Sequence, residues 1–150
     1  MTTRRLSLPA IAWLVLAGCS SAQQPAQVDT RNDSCAYCRM MVSDVRFAAQ
    51  IVAPGEEPRF FDDVGCLRDF LKKNVATKGA VAYVADHRTK EWVAAAKAVY
   101  VRNERVATPM GSNILAYADT ASRDADRDGT GTPLTAADVF GPDGPPSGSK

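Results

Sequence analysis

The chain has 150 residues, 45% hydrophobic and 23% charged, with a formal net charge of +1. That make-up fits one ordinary globular domain, and no internal repeat is visible. Losing Arg4 and Arg5 with a leader would bring the charge to about −1, so no basic excess exists to neutralise phosphates, which argues against nucleic-acid binding.

Arg4 and Arg5 form a charged start, and Leu6 to Ala17 form an apolar run too short to cross a bilayer comfortably. The run ends Leu16-Ala17-Gly18-Cys19, which resembles a bacterial lipobox. Residues 1–18 are therefore expected to be a lipoprotein signal peptide, with the lipid on Cys19. Of the four cysteines, Cys35, Cys38 and Cys66 then remain in an oxidising compartment, and an odd number cannot all pair within one molecule. Residues 19–34 are polar and read as a lipid-anchored flexible linker. Residues 35–140 read as the folded domain, and the Gly/Pro/Ser-rich stretch 141–150 as a disordered tail.

Within the domain, Phe47 to Ala53 alternates as a strand, Pro54-Gly55 turns the chain, and Arg59-Phe60-Phe61 returns it. Asp62 or Asp63 is placed to cap a helix whose apolar face is Val64, Leu67, Phe70, Leu71 and Val75. Gly79 closes that region. Val81–Ala85, Trp92-Val93, Ala98–Val101 and Asn113–Ala118 read as further strands. Thr120 to Asp128 reads as a weak polar helix, and Thr135 with Asp138 as a capping box for a last turn. The fold class is α+β, with two ββαβ-like units and a mostly antiparallel sheet in one small domain.

The informative segment is Cys35-Ala36-Tyr37-Cys38-Arg39-Met40-Met41. Thiolate and thioether donors are soft and select Cu(I) over hard cations. In an extended chain Cys38 and Met40 share a face, Met41 points to the core, and Cys35 joins only if the stretch turns. Met110, in the turn Thr108-Pro109-Met110-Gly111, is the expected third donor. Against this stand two ordinary readings: methionines as core filler, and Cys35/Cys38 as a disulfide or redox pair. Cys66, in the first turn of the expected helix, reads as a buried structural thiol, a further copper ligand or a partner for Cys35. The lone His87 reads as a solvated turn residue. With no second CxxC, the usual zinc set is incomplete. Asp124, Asp126, Asp128 and Gly129 open like a calcium loop, but Thr135 stands where the bidentate glutamate belongs. No Ser/His/Asp set is evident, so the chain reads as a binding protein rather than an enzyme.

These residues resemble the NosL family, the copper-binding accessory lipoproteins of nitrous oxide reductase. The resemblance rests on Cys35-Ala36-Tyr37-Cys38-Arg39-Met40, Phe61-Asp62-Asp63, Trp92 with Ala95 to Val101, Thr108-Pro109-Met110-Gly111 and the lipobox. It implies paired ββαβ units and a periplasm-facing lipoprotein. Such a protein binds one Cu(I) and supplies it to nitrous oxide reductase, with a membrane copper-supply complex as a second partner. The family varies at Cys35, so Cys38, Met40 and Met110 rank above it as ligands. The family usually has glycine where this chain has Arg39. Two other functions fit the motifs: a thiol-disulfide lipoprotein using Cys35 and Cys38, and a general copper buffer or resistance protein.

Overall fold

The computed structural model describes residues 23–148, so the leader and Cys19 lie outside the described residues. The elements in order are β1 (Ala49–Val52), β2 (Arg59–Phe61), α1 (Val64–Lys73), β3 (Val81–Ala85), β4 (Trp92–Ala94), β5 (Val99–Arg102), β6 (Ile114–Tyr117), α2 (Thr120–Asp124), β7 (Thr132–Leu134) and α3 (Ala136–Phe140). One sheet runs β2-β1-β3-β4 and the other β6-β5-β7. Every named pairing is antiparallel.

The α+β expectation holds, and the paired units are plain in the topology. β1-β2-α1-β3 and β5-β6-α2-β7 share one plan: a hairpin, a helix, then a strand returning to the free side of the hairpin's first strand. The first strand is thus central in each unit. All four residues of β1 are buried, with Ala49 opposite both Phe61 and Val84. Tyr100 of β5 lies opposite Ala116 and Leu134. No sequence repeat advertises this plan, because it is carried by burial pattern and caps rather than by residue identity. α1 and α2 each open on an aspartate directly after a hairpin. Asp63 accepts from the N–H of Cys66, and Asp119 accepts from the N–H of Ser122. Such caps satisfy helix N–H groups that have no partner within the helix.

The main core joins both units. Ile51, Phe61, Leu67 and Val84 of the first meet Tyr100, Ile114 and Ala116 of the second and Val139 of α3, and Cys35 is buried in the same cluster. Tyr100 is fully buried and donates its hydroxyl to the Ala95 carbonyl at 2.7 Å, so its polar end is not orphaned. The buried carboxylate of Asp86 ties the units together: Oδ1 accepts from the N–H groups of Arg88 and Thr89, and Oδ2 from that of Ala118 at 2.8 Å. Burial alone would raise this carboxyl, but the N–H donors outweigh it and hold it below the ordinary 3.8. A depressed carboxylate adds stability that is fully present above its unfolded value and lost as pH falls through its folded one. Stability should therefore decline below about pH 4. The Asp86→Asn variant should show a flatter acid limb in denaturant titrations run from pH 6 to 2.5; an unchanged limb would remove Asp86 from this account.

Several expectations are corrected. Residues 23–34 do not hang free. The buried amide of Gln50 pairs with Ala26 in both directions, at 2.8 and 3.0 Å, and the Tyr83 hydroxyl donates to the Gln23 carbonyl. Ala26 and Val28 pack on Val42, Ala48 and Phe60. The polar composition that suggested a linker is answered by a polar side chain on the sheet. Residues 141–148 are likewise seated: Ala82 donates to the Pro146 carbonyl at 2.8 Å and Gly148 to that of Ala80 at 2.9 Å, beside a Val81–Ser147 bridge. Val75, expected on the helix face, lies past the Asn74 cap and is 97% exposed. The second helix stops at Asp124, short of Asp128. β7 was not expected, because Pro133 interrupts it; as an edge strand it tolerates the missing N–H.

Candidate soft-metal site

The Cys/Met segment is not extended. It closes a loop: Val42 N–H donates to the Asp33 carbonyl, Ser34 bridges Met41, and Cys35 N–H donates to the Met40 carbonyl at 2.7 Å. Arg39 turns the chain with φ +68° and donates its N–H to the Cys35 carbonyl. Ala36 N–H donates to the Phe60 carbonyl at 2.8 Å, which pins the loop to β2 just before α1 starts. Tyr37 docks the loop on the far end of that helix, with the Lys73 ammonium on its hydroxyl at 3.0 Å and over its ring.

The turn brings Cys35 to Cys38, as the alternative to an extended chain required. It also brings both to a residue outside the motif. One sulfur from each of Cys35, Cys38 and Cys66 lies within 4.8 Å of the others. Cys35 and Cys66 are buried and Cys38 is partly exposed, and none is in a disulfide. Cys66 arrives as the third residue of α1, its N–H held by Asp63 Oδ1 at 2.9 Å. The clue was its place: a residue in the first turn after β2 must lie near whatever β2 pairs with. A thiol hydrogen bond from Cys66 draws Cys35 down to about 5, against burial and with help from backbone N–H groups including that of Cys38. The same bond and burial push Cys66 up. Burial is also the main cause that raises Cys38. Cys35 is thus the natural thiolate of the group, and the thiolate is the form that binds metal.

The thioether residues are exposed. Met40 is 57% and Met110 44% exposed, which is unusual for core filler. Met41, expected in the core, is also exposed, and the neighbouring Val42 takes the buried position. Met110 is anchored at the same helix end as Cys66. Asp63 Oδ2 accepts from the Thr108 hydroxyl at 2.9 Å and from the Met110 N–H at 3.2 Å. Gly65 permits the approach: a Cβ there would stand 2.6 Å from the Ser112 Cβ. One carboxylate therefore fixes both the Cys66 backbone and the Met110 backbone. Asp62 meanwhile accepts from Ser43 N–H and Oγ, and burial raises its carboxyl despite those bonds. Two clefts of about 460 and 420 Å³ lie elsewhere, and neither is lined by a cysteine or methionine.

The family model described as NosL matches residues 25–139. The chain belongs to the NosL family. Its fold is similar to that in the crystal structure of the copper chaperone NosL from Shewanella denitrificans, with a TM-score of 0.62 at 17% identity, covering 79% of this chain and 96% of that one. No curated protein matches. The glycine usual in NosL at the position of Arg39 now has a physical reason. A left-handed φ costs an L-residue roughly 1–2 kcal/mol and costs glycine almost nothing. Arg39→Gly should therefore raise unfolding stability by about 1 kcal/mol, read as a higher denaturant midpoint with an unchanged slope. A lower midpoint would show that the arginine side chain stabilises the turn.

One NosL-domain residue differs from expectation without joining the sulfur site. His87 is 3% exposed rather than solvated. Its Nδ1 pairs with Asp126 Oδ2 at 2.8 Å, and its ring packs on Phe47 and Tyr117. The acids that imitate a calcium loop are divided between such bonds: Asp126 serves His87, while Asp124 pairs with Arg123.

Proposed function

We propose that this protein carries one Cu(I) on sulfur ligands and hands it to nitrous oxide reductase during assembly of that enzyme's copper centres. Copper here is cargo, not a resident cofactor, and the protein is a metallochaperone rather than an enzyme. The observation that supports this most is the meeting of three thiols from two distant stretches, with the Met110 backbone held by the same Asp63 that caps α1. Thiols stand inside, and the Met40 and Met110 thioethers are open to solvent. Soft donors hold Cu(I) and reject calcium, magnesium and other hard ions. Cys38, Met40 and Met110, with Cys35 beside them, are the proposed ligands. Exposed thioethers suit transfer, because a recipient can attack the ion before the donor releases it. The copper chaperone from Shewanella denitrificans shares the fold, which favours the same trade.

We further place the protein on a membrane through a lipid on Cys19, facing the periplasm or cell exterior, with a membrane copper-supply complex upstream. The test has three parts. Anaerobic titration should give one Cu(I) per chain and a rise in melting temperature. X-ray absorption should show a sulfur-only shell. The loaded lipoprotein should then restore activity to copper-depleted nitrous oxide reductase. Binding without restoration would leave a copper buffer. Insulin or glutathione turnover dependent on Cys35 and Cys38, without copper binding, would favour the thiol-disulfide alternative.

A further inference from the structure

We propose that Cys66 completes an inner Cu(I) seat with Cys35 and Cys38, and that Cys38 is shared between this seat and the outer thioethers of Met40 and Met110. The inference rests on the Cu(I)-carrier reading and gives the ion two positions rather than one. Its basis is distance and depth. Three sulfurs around one ion at the roughly 2.3 Å of a metal–thiolate bond stand about 4 Å apart. The sulfurs of Cys35, Cys38 and Cys66 already lie within 4.8 Å of one another. Side-chain rotations of under about 1 Å close the set. The convergence is not a by-product of sequence proximity, since Cys66 comes from a helix while the other two sit on a loop pinned to β2.

Burial then separates the two positions. Cys35 and Cys66 have almost no exposed surface, while Met40 and Met110 are open. Cys38 is intermediate in exposure and stands two residues from Met40 in the chain. The inner seat is the storage end, screened from competing thiols and oxidants. The outer set is the exchange end. Movement between them is ligand exchange at constant oxidation state: the bonds to Cys35 and Cys66 are exchanged for bonds to Met40 and Met110 while the bond to Cys38 persists. Cys35 binds as the thiolate, while Cys66 gives up its proton to solvent on ligation and regains one on release. The second unit supplies an internal contrast, because Ser122 occupies the position in α2 that Cys66 occupies in α1.

The decisive variant is Met40→Leu with Met110→Leu, since both side chains are exposed and their loss does not threaten the fold. Cu(I) loaded anaerobically onto this double variant should keep a three-sulfur shell by X-ray absorption, while its transfer to a competing chelator slows at least tenfold. Cys66→Ser in the otherwise unaltered chain should lower Cu(I) affinity at least tenfold and replace one sulfur by a lighter atom or a vacancy in the shell. A double variant that holds fewer than three sulfurs, or a folded Cys66→Ser protein with wild-type affinity and shell, would overturn the inner seat and leave the carrier reading standing. Failure of the unaltered chain to take up Cu(I) would overturn both.

Discussion

Replacing Asp63 by alanine should cost about 3–7 kcal/mol of stability. The carboxylate is fully buried and engaged three times: by the Cys66 N–H, the Thr108 hydroxyl and the Met110 N–H. Loss of a helix cap alone costs about 1 kcal/mol. Each buried donor left without a partner adds about 1–3 kcal/mol. Against a total of roughly 5–15 kcal/mol for an ordinary domain, such a variant sits close to unfolding. Asparagine is the sharper probe. It keeps the shape and still accepts from Cys66, but its amide nitrogen faces two donors. The Thr108 hydroxyl can turn to accept, whereas the Met110 N–H cannot. Asp63→Asn should therefore cost about 1–3 kcal/mol, measured by urea unfolding, and should free the Thr108–Gly111 turn. Gly65→Ala should loosen the same turn from the other side, by pushing on Ser112. If both variants fold and the turn's amide exchange is unchanged, Asp63 is only a helix cap.

The double replacement Cys38→Ser, Met40→Leu should abolish Cu(I) binding, with a loss of affinity of at least a hundredfold. The serine removes the one thiol common to both proposed positions, and the leucine removes the thioether beside it. Neither change opens a cavity, since Cys38 is partly exposed and Met40 mostly so, and melting temperature without copper should stay within a few degrees. The measurement is competition against a chromogenic Cu(I) chelator under reductant, because oxidation of either soft donor would mimic the substitution. A competition curve that overlays that of the unaltered chain would end the sulfur assignment.

Much of this was legible in the chain because it is local. The first strand, the returning Arg59-Phe60-Phe61, the Asp63 cap and the Thr135/Asp138 box are each written within a few neighbouring residues, and each is present, although the first strand is buried on both faces rather than alternating. The Cys/Met segment was legible as a donor set but not as a shape. Its turn depends on Arg39 taking a left-handed φ, which an arginine does not announce. What stayed hidden depends on partners distant in sequence. His87 looked solvated because its neighbours are turn residues, and Asp126 is 39 positions away. The third thiol was ambiguous because a cysteine in a helix start is usually a small buried hydrophobe. Only the pairing of the loop with β2 brings it to the other two. The doubled plan of the fold was expected from the order of elements, but the match of its two helix starts was not, because Asp63–Cys66 and Asp119–Ser122 agree in geometry and not in letters.

The seating of residues 23–34 on the sheet bears on reach. Were those residues free, a lipid on Cys19 would let the domain roam some tens of ångströms from the bilayer. With Gln23 fastened by Tyr83, a lipid on Cys19, as proposed above, would stand at most roughly 14 Å along the chain from that fixed point. A carrier so tethered could not ferry its ion across the compartment. Donor and recipient would both have to come to the lipid surface, and a longer insertion between Cys19 and Gln23 would widen the zone in which they could meet.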